Sequence, residues 1–584
     1  MAVMRRDLQT AVVPFPKGLM STARSALAMP ATFGREVRNM LMAADGAGAK
    51  RNGVVAVGSA IAGETVVAVM GFQAAAGYQL MVATNAGKIY RQNGAAWELV
   101  YSGLDGAGVV RTVAFAGRLL LCNGVDDVLV YDGSAWSVVS RLVVDSASGL
   151  TFVSSSQFRI NSTASFYAVG SQVRAKLGTT FVTANVSAVS VSGPQVTVTL
   201  NAAVLTSALN EVAYTVKPPK FAFMAAAHDR LWGFGKGPLV ASLSSDVERM
   251  RVFYTHGVND HAAWPDPATG VIPSINLADK AGVADELLAM AVKDGMTVFV
   301  GRNHLQLWVG SNPNTVGDFG WSKTIPLGAV HGSAVMSLPN DLMLLTRQGV
   351  RTLSRSLQTE QLDVSDVGGE LDPTVNALLG QVLADVAAYR RVVPLRFEPQ
   401  GWLGVALGDV ALVWQIGAFG QGWVVFDGVF GGATASHNAP DGTLYVAKGG
   451  QVYRYDTAAW SDAGEAIVTR WWTPWLRPAA DGKRWANKYV ELLVAPAVSM
   501  PVTLRRYDDY DDANPQVLTL EVPPQADFWD SAEWDSAAWD SGGASNPVAR
   551  DHVVVDVLAM ALESASVNGP LTVFGLKLYG VAER

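Results

Sequence analysis

The sequence predicts a mainly β protein: a β-propeller of short antiparallel blades, with a small inserted β module and a C-terminal β-sandwich-like domain. Three observations support this prediction. Short segments rich in β-branched and aromatic residues dominate, such as residues 64–70 and 296–300. Segments with helical periodicity are rare. Pairs of strand-like segments recur at a spacing of roughly 40 residues, which is the size of one four-stranded propeller blade.

The composition indicates a large folded protein. The chain has 584 residues, of which 49% are hydrophobic and 16% charged, and this excludes a disordered chain and a coiled coil. The length favours roughly two to four domains or one large repeat architecture. A single cysteine excludes a disulfide framework and a cysteine-rich zinc module. The net charge of −7 makes a basic nucleic-acid-binding surface unexpected.

Membrane and export signals are also missing from the sequence. No segment reaches the roughly 18 uninterrupted apolar residues of a membrane span. The arginines near the N-terminus are not followed by the apolar core of a signal peptide. We therefore expect a protein that is made in the cytosol, does not insert into a membrane and has no Sec export signal.

The predicted blades form two groups, at residues 54–142 and 217–469, and an N-terminal arm at residues 1–53 precedes them. Asn93-Gly94 and Asp132-Gly133 are two-residue hairpin signals, because such turns need positive φ at both central positions. Closing these small sheets into a ring protects strand edges that an isolated hairpin would leave unpaired.

A module interrupts the blades at residues 143–216, where the composition shifts to Ser, Thr, Val and Ala with few charges. Two alternating runs on either side of Gly193-Pro194 indicate a small all-β unit. Its weakly charged surface suits contact with another protein. An ordinary variable excursion of the chain is an equally open interpretation.

One segment, residues 373–389, predicts a helix. Asp372 precedes Pro373 as an N-cap precedes a first-turn proline. The apolar residues at helical spacing are Leu378, Val382, Val386 and Tyr389.

Residues 470–584 form the predicted C-terminal β domain, and its most unusual segment is a Trp-Asp-Ser repeat at five-residue spacing. This period fits neither a strand nor a helix. We therefore predict a chain of turns in which each Asp caps its own backbone and each Trp covers an apolar surface. The residues predicted as structural or interface contacts are Trp529, Trp534, Trp539, Asp530, Asp535 and Asp540.

The charges are distributed unevenly along the chain. Residues 505–545 contain ten acids and two bases, whereas residues 1–52 contain eight bases and three acids. One hypothesis is that basic arms of one chain bind acidic loops of another. The alternative is a solvated charge distribution without a partner.

Residues that suggest chemistry are few. His256 and His261, with Asp260 between them, come nearest to a loop metal site, although such clusters are more often ordinary loop residues. Asp441 and Asp427 are candidates for the paired carboxylates of a glycosidase, but Pro-Asp-Gly-Thr around Asp441 is first a turn sequence. Phosphate-binding loops and nucleophile elbows are missing from the sequence. We therefore predict a protein that is not an enzyme and has no catalytic, cofactor-binding or metal-binding residues.

Several segments together resemble tail nozzle proteins, also called tail hub or stabilisation proteins, of short-tailed bacteriophages. The resemblance rests on residues 15–19, 26–30, 34–40 and 45–53 at the N-terminus, residues 221–235 after the module, and the Trp-Asp repeat at residues 525–542. It covers most of the chain, it is weaker at residues 143–216, and it is a pattern of segments rather than a catalytic motif.

The resemblance implies a structural virion protein that is assembled in the host bacterial cytoplasm. Such proteins form rings, usually hexamers, below the portal and the head-to-tail adaptor. The implied partners are further copies of the chain, the adaptor, other tail proteins including tail fibres, and double-stranded DNA in transit without sequence specificity. The implied function is a conduit and plug for the genome during retention and ejection.

Two other functions stay open from the sequence. The first is a glycan-binding or glycan-cleaving propeller on a tail tip. The second is a general protein-binding propeller scaffold. A ring-forming chain favours the nozzle role, whereas a monomer that binds or cleaves surface polysaccharide favours the first alternative.

Overall fold

The structure is a computed structural model of the chain. It describes residues 8–21, 29–43, 45–74, 77–106, 108–235, 249–281, 285–338, 341–359, 368–369, 371–385, 389, 391–416, 422–480, 482–496, 499–522, 546–567 and 569–583. The predicted contact residues of the Trp-Asp-Ser repeat, Trp529 to Asp540, therefore lie outside the described residues.

The first strands of the chain are short and pair with strands that are distant in sequence. They are β1 (Gln9–Pro14), β2 (Glu36–Arg38), β3 (Met40–Met42), β4 (Gly48–Lys50) and β5 (Gly53–Val57). Of these, β3 and β4 pair with each other, and the other strands pair with strands of the second half of the chain.

Two four-stranded antiparallel blades follow. Blade 1 consists of β6 (Val66–Ala74), β7 (Gly77–Thr84), β8 (Lys88–Asn93) and β9 (Ala96–Ser102). Blade 2 consists of β10 (Arg111–Phe115), β11 (Arg118–Cys122), β12 (Leu129–Tyr131) and β13 (Trp136–Val138). Hairpins occur at both predicted turns, but with other loops than predicted. Asn93 pairs with Ala96, so the first two-residue loop is Gly94-Ala95, and Tyr131 pairs with Trp136, so the second loop has four residues, 132–135. Gly94 and Gly133 adopt positive φ, whereas Asn93 and Asp132 do not. The two glycines therefore supply the left-handed conformation that each turn requires.

The inserted module spans Arg141 to Val216 and has a sheet of its own. Its strands are β14 (Arg141–Val144), β15 (Thr151–Ser154), β16 (Gln157–Ile160), β17 (Gln172–Leu177), β18 (Thr180–Ser192), β19 (Gln195–Leu200) and β20 (Leu209–Val216). Their order is β14-β20-β17-β18-β19-β16-β15. The buried side chains of Phe158, Tyr167 and Val198 belong to a hydrophobic cluster made only of module residues.

Blades 3, 4 and 5 follow the module. Blade 3 consists of β21 (Phe223–Ala227), β22 (Arg230–Phe234), β23 (Arg251–Tyr254) and β24 (Ser274–Asn276). Blade 4 consists of β25 (Leu287–Lys293), β26 (Met296–Gly301), β27 (Leu305–Val309) and β28 (Gly320–Ile325). Blade 5 consists of β29 (Val335–Leu338), β30 (Asp341–Thr346) and β31 (Gly349–Thr352). The described helices are α1 (Ala278–Ala281), α2 (Leu353–Thr359) and α3 (Asp372–Ala384).

Blades 6 and 7 complete the ring. Blade 6 consists of β32 (Val393–Phe397), β33 (Trp402–Leu407), β34 (Val410–Gln415) and β35 (Gly422–Phe426). Blade 7 consists of β36 (Ala435–Asn438), β37 (Leu444–Lys448), β38 (Gln451–Asp456) and β5. β5 pairs antiparallel with β38, from Gly53 opposite Asp456 to Val57 opposite Val452. β36 packs beside β6 of blade 1. The described residues thus form a closed seven-bladed propeller, which confirms the predicted fold.

The remaining strands, apart from β39, form the terminal sandwich. β39 (Ser461–Asp462) pairs with β5 of blade 7 and with β40, and so lies between the two parts. The sandwich strands are β40 (Glu465–Trp472), β41 (Arg484–Pro496), β42 (Met500–Asp508), β43 (Gln516–Val522), β44 (Val548–Val555), β45 (Leu558–Ser566) and β46 (Leu571–Glu583). One sheet runs β44-β41-β46, with β1 and the β4-β3 pair on the far side of β46. The other runs β43-β42-β45-β40-β2 and continues through β2 into β35 of blade 6. Buried residues of both sheets share one hydrophobic cluster.

The N-terminal segment is part of the sandwich and not a separate arm. Residues 1–53 are predicted as an arm before the propeller, but their described strands β1 to β4 lie within the terminal sandwich. The fifth strand, β5, closes blade 7. Both ends of the chain therefore build one domain, and the N-terminal segment joins that domain to the ring.

The predicted helix at residues 373–389 is α3, which ends at Ala384. Its buried residues are Val375, Leu379 and Val382, so α3 shares Val382 with the predicted face, whereas Leu378 is only partly buried. Tyr389, which follows α3, is buried as predicted, and Val386 lies outside the described residues. Leu371 rather than Asp372 is the N-cap residue. The carboxylate of Asp372 instead accepts two hydrogen bonds from Arg351, at 2.9 and 2.7 Å, which ties the first turn of α3 to blade 5.

Candidate functional site

The first candidate site is the axial cavity, an opening of about 500 Å³ at the centre of the ring. Its wall is made by the innermost strand of each blade: β6, β10, β21, β25, β29, β32 and β36, with the turn at Gly332 before β29. Most wall residues are small or apolar, such as Val69, Met224 and Ala289, and hydroxyl groups lie among them. A cavity of this size suits a small molecule, since ligand pockets measure about 300–1,000 Å³.

Arg111, the first residue of β10, brings a positive charge into this wall. Its guanidinium lies over the ring of Phe223, 5.2 Å from the ring centroid. Enclosure by the surrounding blades lowers the pKa of Arg111. Among the described residues, no side chain or carbonyl group forms a hydrogen bond or an ion pair with this guanidinium.

A second polar group lies beside Arg111, between blades 4 and 5. His331 is 1% exposed, and its Nδ1 accepts a hydrogen bond from the backbone N–H of Ser333 at 3.0 Å. Its Nε2 has no partner within the described part of the chain. The ring of Tyr389 packs edge-on against it at 4.7 Å. Burial, with the nearby charges of Arg111 and Arg302, lowers the pKa of His331 to about 3, so the imidazole is neutral at physiological pH.

His437 lies in the cavity wall at the junction of blades 7 and 1. Its Nε2 is 2.6 Å from the hydroxyl oxygen of Tyr78, and the two rings are stacked. Burial lowers the pKa of His437 to about 4. This pair contributes a neutral hydrogen-bonded contact, so the charge that the wall contributes comes from Arg111 and not from His437.

The second candidate site is the joint between the propeller and the terminal sandwich. Arg51 is fully buried there and forms a bidentate ion pair with Asp462, with distances of 2.9 and 2.7 Å. Its Nε donates to the side-chain oxygen of Asn39 at 2.9 Å, and its guanidinium lies over the ring of Phe430 at 4.9 Å. Asn39 adopts a positive φ of 52°, which asparagine tolerates better than most residues.

Further charges extend this contact into the sandwich. Asp427, at the end of blade 6, accepts hydrogen bonds from Asn39 and, at 2.9 Å, from Arg38. Glu36 pairs with Arg38 at 2.6 Å and with Arg470 at 3.2 Å. We call the connected set the clamp network; its members are Glu36, Arg38, Asn39, Arg51, Asp427, Asp462, Arg470, Arg505 and Glu563.

The third candidate is an aromatic cluster on the sandwich. The guanidinium of Arg35 lies 4.1 Å from the ring centroid of Trp472 and 5.6 Å from that of Trp475. It also donates two hydrogen bonds to Asp512, at 2.8 and 2.7 Å. Tyr507 stacks on Trp472 at 4.8 Å. Here a basic residue of the N-terminal segment meets the acidic loop of its own chain, so the pairing that we considered between chains occurs within one chain at this point.

The residues that the sequence suggested for chemistry have structural contacts instead. Asp441 accepts a hydrogen bond from the backbone N–H of Thr443 at 2.9 Å and shapes its own turn. Asp427 belongs to the clamp network. The nearest carboxylate oxygens lie 4.0 Å from a ring nitrogen of His256 and of His261. In the described part of the chain, no three His, Cys, Asp or Glu side chains are placed to hold a metal ion.

No local sequence pattern indicates the residues that define the axial cavity. Arg111 and His331 stand alone in their local sequence, and the ring brings them together from blade 2 and from the turn before blade 5. Arg51 and Asn39 lie in segments that the sequence singled out, but their partners Asp462 and Asp427 are about 400 residues away. None of the described helices is long and apolar enough to cross a membrane.

Comparison with known proteins gives only distant similarities. No protein-family model matches the chain, and no curated protein matches it. Among solved structures, it is similar to BamB from Moraxella catarrhalis, with a TM-score of 0.32, 9% identity, and coverage of 71% of this chain and 90% of that one. It is similar to the WD40 β-propeller domain of Doa1, with a TM-score of 0.32, 8% identity, and coverage of 69% and 97%. A streptogramin B lyase structure has a TM-score of 0.26 at 10% identity, with coverage of 69% and 95%.

Proposed function

We propose that this protein is a structural virion protein that forms the nozzle or hub ring of a short bacteriophage tail. In this role, copies of the chain, six in the closed ring, assemble below the portal and the adaptor. The ring conducts double-stranded DNA without reading its sequence and closes behind the packaged genome. Tail fibres and other tail proteins dock on its outer side. The role is mechanical and needs no catalytic residue.

The observation that carries this proposal is that the N-terminal segments that resemble nozzle proteins supply residues of the clamp network. Residues 34–40 and 45–53 supply Glu36, Arg38, Asn39 and Arg51 to the clamp network. These residues fasten the propeller to the sandwich through one buried ion pair, Arg51–Asp462, through partly buried pairs of Arg38 and Glu36, and through shared strands. A subunit that forms the wall of a pressurised conduit requires such a rigid joint between its parts.

The proposed DNA path lies between subunits and not along the axis of one propeller. The axial cavity has the volume of a small-molecule pocket, about 500 Å³, and is walled by closely packed strands. A ring of whole subunits provides the wider opening. The net charge of −7 is compatible with this role, because few phosphate contacts let DNA slide rather than bind.

Native mass spectrometry and negative-stain electron microscopy of the purified full-length chain test the proposal. We expect closed rings, either for the chain alone or after addition of a portal–adaptor complex. Rings should close through one head-to-tail interface repeated by rotation. Particles assembled without the chain should package DNA and then lose it. A chain that stays monomeric with the portal–adaptor complex, together with particles that retain DNA without it, contradicts the proposal.

The alternative is a glycan-binding propeller on a tail tip, and the ligand-sized axial cavity favours it. Binding or cleavage of host surface polysaccharide by a monomeric chain supports this alternative. The carboxylates that the sequence suggested for cleavage, Asp441 and Asp427, are engaged in a turn and in the clamp network. Binding without cleavage is therefore the expected form of the alternative.

A further inference from the structure

We propose that the axial cavity binds a small anionic molecule through the guanidinium of Arg111. The ligand class is a carboxylate or a phosphate monoester with a compact apolar body. The inference is independent of the proposed nozzle role, because it rests on the geometry of one subunit and not on its assembly.

The first argument is the unbalanced charge of Arg111. A guanidinium keeps its proton in proteins, so the charge persists even where the surroundings are apolar. Placing a charge in such surroundings is costly unless a partner balances it. Within the described residues, no carboxylate forms an ion pair with Arg111, although Arg302 of blade 4 is paired with Glu286 at 2.9 Å. An anion from solution would supply the missing partner.

The second argument is that Arg111 is held in place. The ring of Phe223 supports one side of the guanidinium, at 5.2 Å. Gly332 lies on another side, where a Cβ atom would come within 3.1 Å of both terminal nitrogens. A guanidinium fixed in this way presents its N–H groups as a fork, and a fork binds carboxylate and phosphate oxygens in pairs.

The third argument is the wall around the charge, which defines the ligand. Apolar side chains from several blades face the cavity, among them Val67, Val69 and Met224. Ser333 and Thr434 also belong to the wall and provide hydroxyl groups. The opening of about 500 Å³ lies within the usual range for a small-molecule pocket. A ligand with one anionic group and an apolar body matches both features.

Isothermal titration calorimetry of the full-length chain with 4-bromobenzoate, phenyl phosphate and benzamide tests this inference. We expect one of the two anions to bind at one site per chain, and its identity assigns the ligand to the carboxylate or the phosphate class. The neutral benzamide should bind at least tenfold more weakly, because it has the ring without the charge. Equal binding of benzamide, or no binding of either anion at millimolar concentration, overturns the inference.

Substitution then locates the site. Arg111→Gln should weaken binding of the anion at least tenfold, since the charge-assisted hydrogen bonds from the guanidinium to the anion are lost. Arg118→Gln is the matched control: Arg118 lies at the opposite end of the same β10–β11 hairpin and donates to the carbonyl oxygen of Asp132 at 2.9 Å. This control should bind as the unaltered chain does. Equal affinity of the Arg111→Gln chain overturns the inference.

A crystallographic measurement keeps the test decisive if the Arg111→Gln chain does not fold. Crystals of the unaltered chain are soaked in 4-bromobenzoate and, separately, in 4-bromophenyl phosphate. For the class of anion that binds in calorimetry, the anomalous signal of bromine should lie inside the axial cavity, with the anionic group against Arg111. A bromine signal elsewhere, or none from either anion, overturns the inference.

Discussion

Arg51 is fully buried, and the carboxylate of Asp462 balances its charge. Removing one partner of a buried pair leaves an uncompensated charge, which costs about 3–5 kcal/mol. We therefore expect Asp462→Asn to lower the free energy of unfolding by about that amount. Urea denaturation followed by tryptophan fluorescence measures this change.

The control for this substitution is Asp260→Asn, which breaks the exposed ion pair between Asp260 and Arg141. Exposed pairs contribute about 0–1 kcal/mol because water screens them. If Asp462→Asn and Asp260→Asn change stability equally, the clamp network is not the rigid joint that we describe.

His331 predicts a pH dependence of stability. Its pKa falls from the ordinary 6.5 to about 3 in the folded chain, mainly through burial. Between these two values the unfolded chain takes up a proton that the folded chain does not, so stability decreases as the pH falls from about 6.5 towards 3. Replacing His331 by Gln removes this proton uptake. The variant should therefore lose less stability than the unaltered chain between pH 6.5 and 4, as measured by urea denaturation at each pH.

The exposed His552, on the edge strand β44, provides the control. A chain with His552→Gln should keep the pH dependence of the unaltered chain. Parallel pH profiles for the His331→Gln and unaltered chains would show that His331 titrates in the folded state as it does in the unfolded state.

Single residues of the sites were the hardest to predict from the sequence. The sequence pointed to the segments that contain Asn39 and Arg51, because those segments resemble a known family. It did not indicate that Arg51 would be buried, since burial depends on Asp462, which is 411 positions away. Arg111 had no local signal at all, because an arginine at the start of a strand is ordinarily solvated.

At the scale of elements, helix α3 contains a glycine that has no packing role. A Cβ atom at Gly380 would contact nothing within 4 Å, and glycine in a helix is about 0.5–1 kcal/mol less favourable than alanine. We expect Gly380→Ala to raise the free energy of unfolding by about this amount in urea denaturation.

Gly53, at the start of β5, provides the opposite case. A Cβ atom there would lie 1.9 Å from the carbonyl oxygen of Ser461, so Gly53→Ala should force β5 away from its place in blade 7. Such overpacking typically costs about 1–3 kcal/mol. A stabilising effect of Gly53→Ala, or a destabilising one of Gly380→Ala, would contradict the packing described for these elements.

The elements were predictable where local rules decide them. The Asn-Gly and Asp-Gly pairs located two hairpins but not their loops, which are Gly94-Ala95 and the four residues 132–135. Neither Asn93 nor Asp132 needed positive φ. The helix at residues 373–389 was predicted, but its buried face only in part, because contact with blades 5 and 6 selects Val375 and Leu379. Short strands such as β2 and β4 have three residues each, too few for a periodic pattern.

At the scale of the whole molecule, the inserted module has the features of an independent domain. Its cluster of buried residues contains only module residues. Its first and last residues, Arg141 and Val216, are partners across the β14–β20 pair, so its ends lie side by side. We expect residues 141–216 to fold alone, with a cooperative thermal transition by circular dichroism. Replacing them by a short Gly-Ser linker should leave the rest of the chain folded.

The fragment 66–138, which contains blades 1 and 2, is the control for the module. Its strands depend on the closed ring, because β6 packs against β36 and β10 packs against β21. This fragment should not fold alone. An unfolded module, or a chain that unfolds without it, would show that the module is part of the propeller and not an insertion.

The terminal sandwich behaves in the opposite way, because it needs both ends of the chain. One edge of β46 pairs with β1 and β4, and β40 pairs with β2. These pairings join positions more than 400 residues apart, so no local pattern predicts them. Without residues 9–50, β46 and β40 would expose unpaired strand edges and buried apolar side chains.

A fragment of residues 461–584 should therefore be unfolded or aggregated, as judged by size-exclusion chromatography and circular dichroism. Joining residues 8–50 to its N-terminus through a flexible linker should restore a folded monomer. The joined chain with Val13→Asp is the matched control, because Val13 on β1 is 5% exposed and belongs to the shared core. That control should fail to fold, because a carboxylate in that core has no partner. Equal folding of all three chains would mean that the sandwich folds without the N-terminal strands. The clamp network would then join the propeller to a domain whose folding does not need residues 8–50.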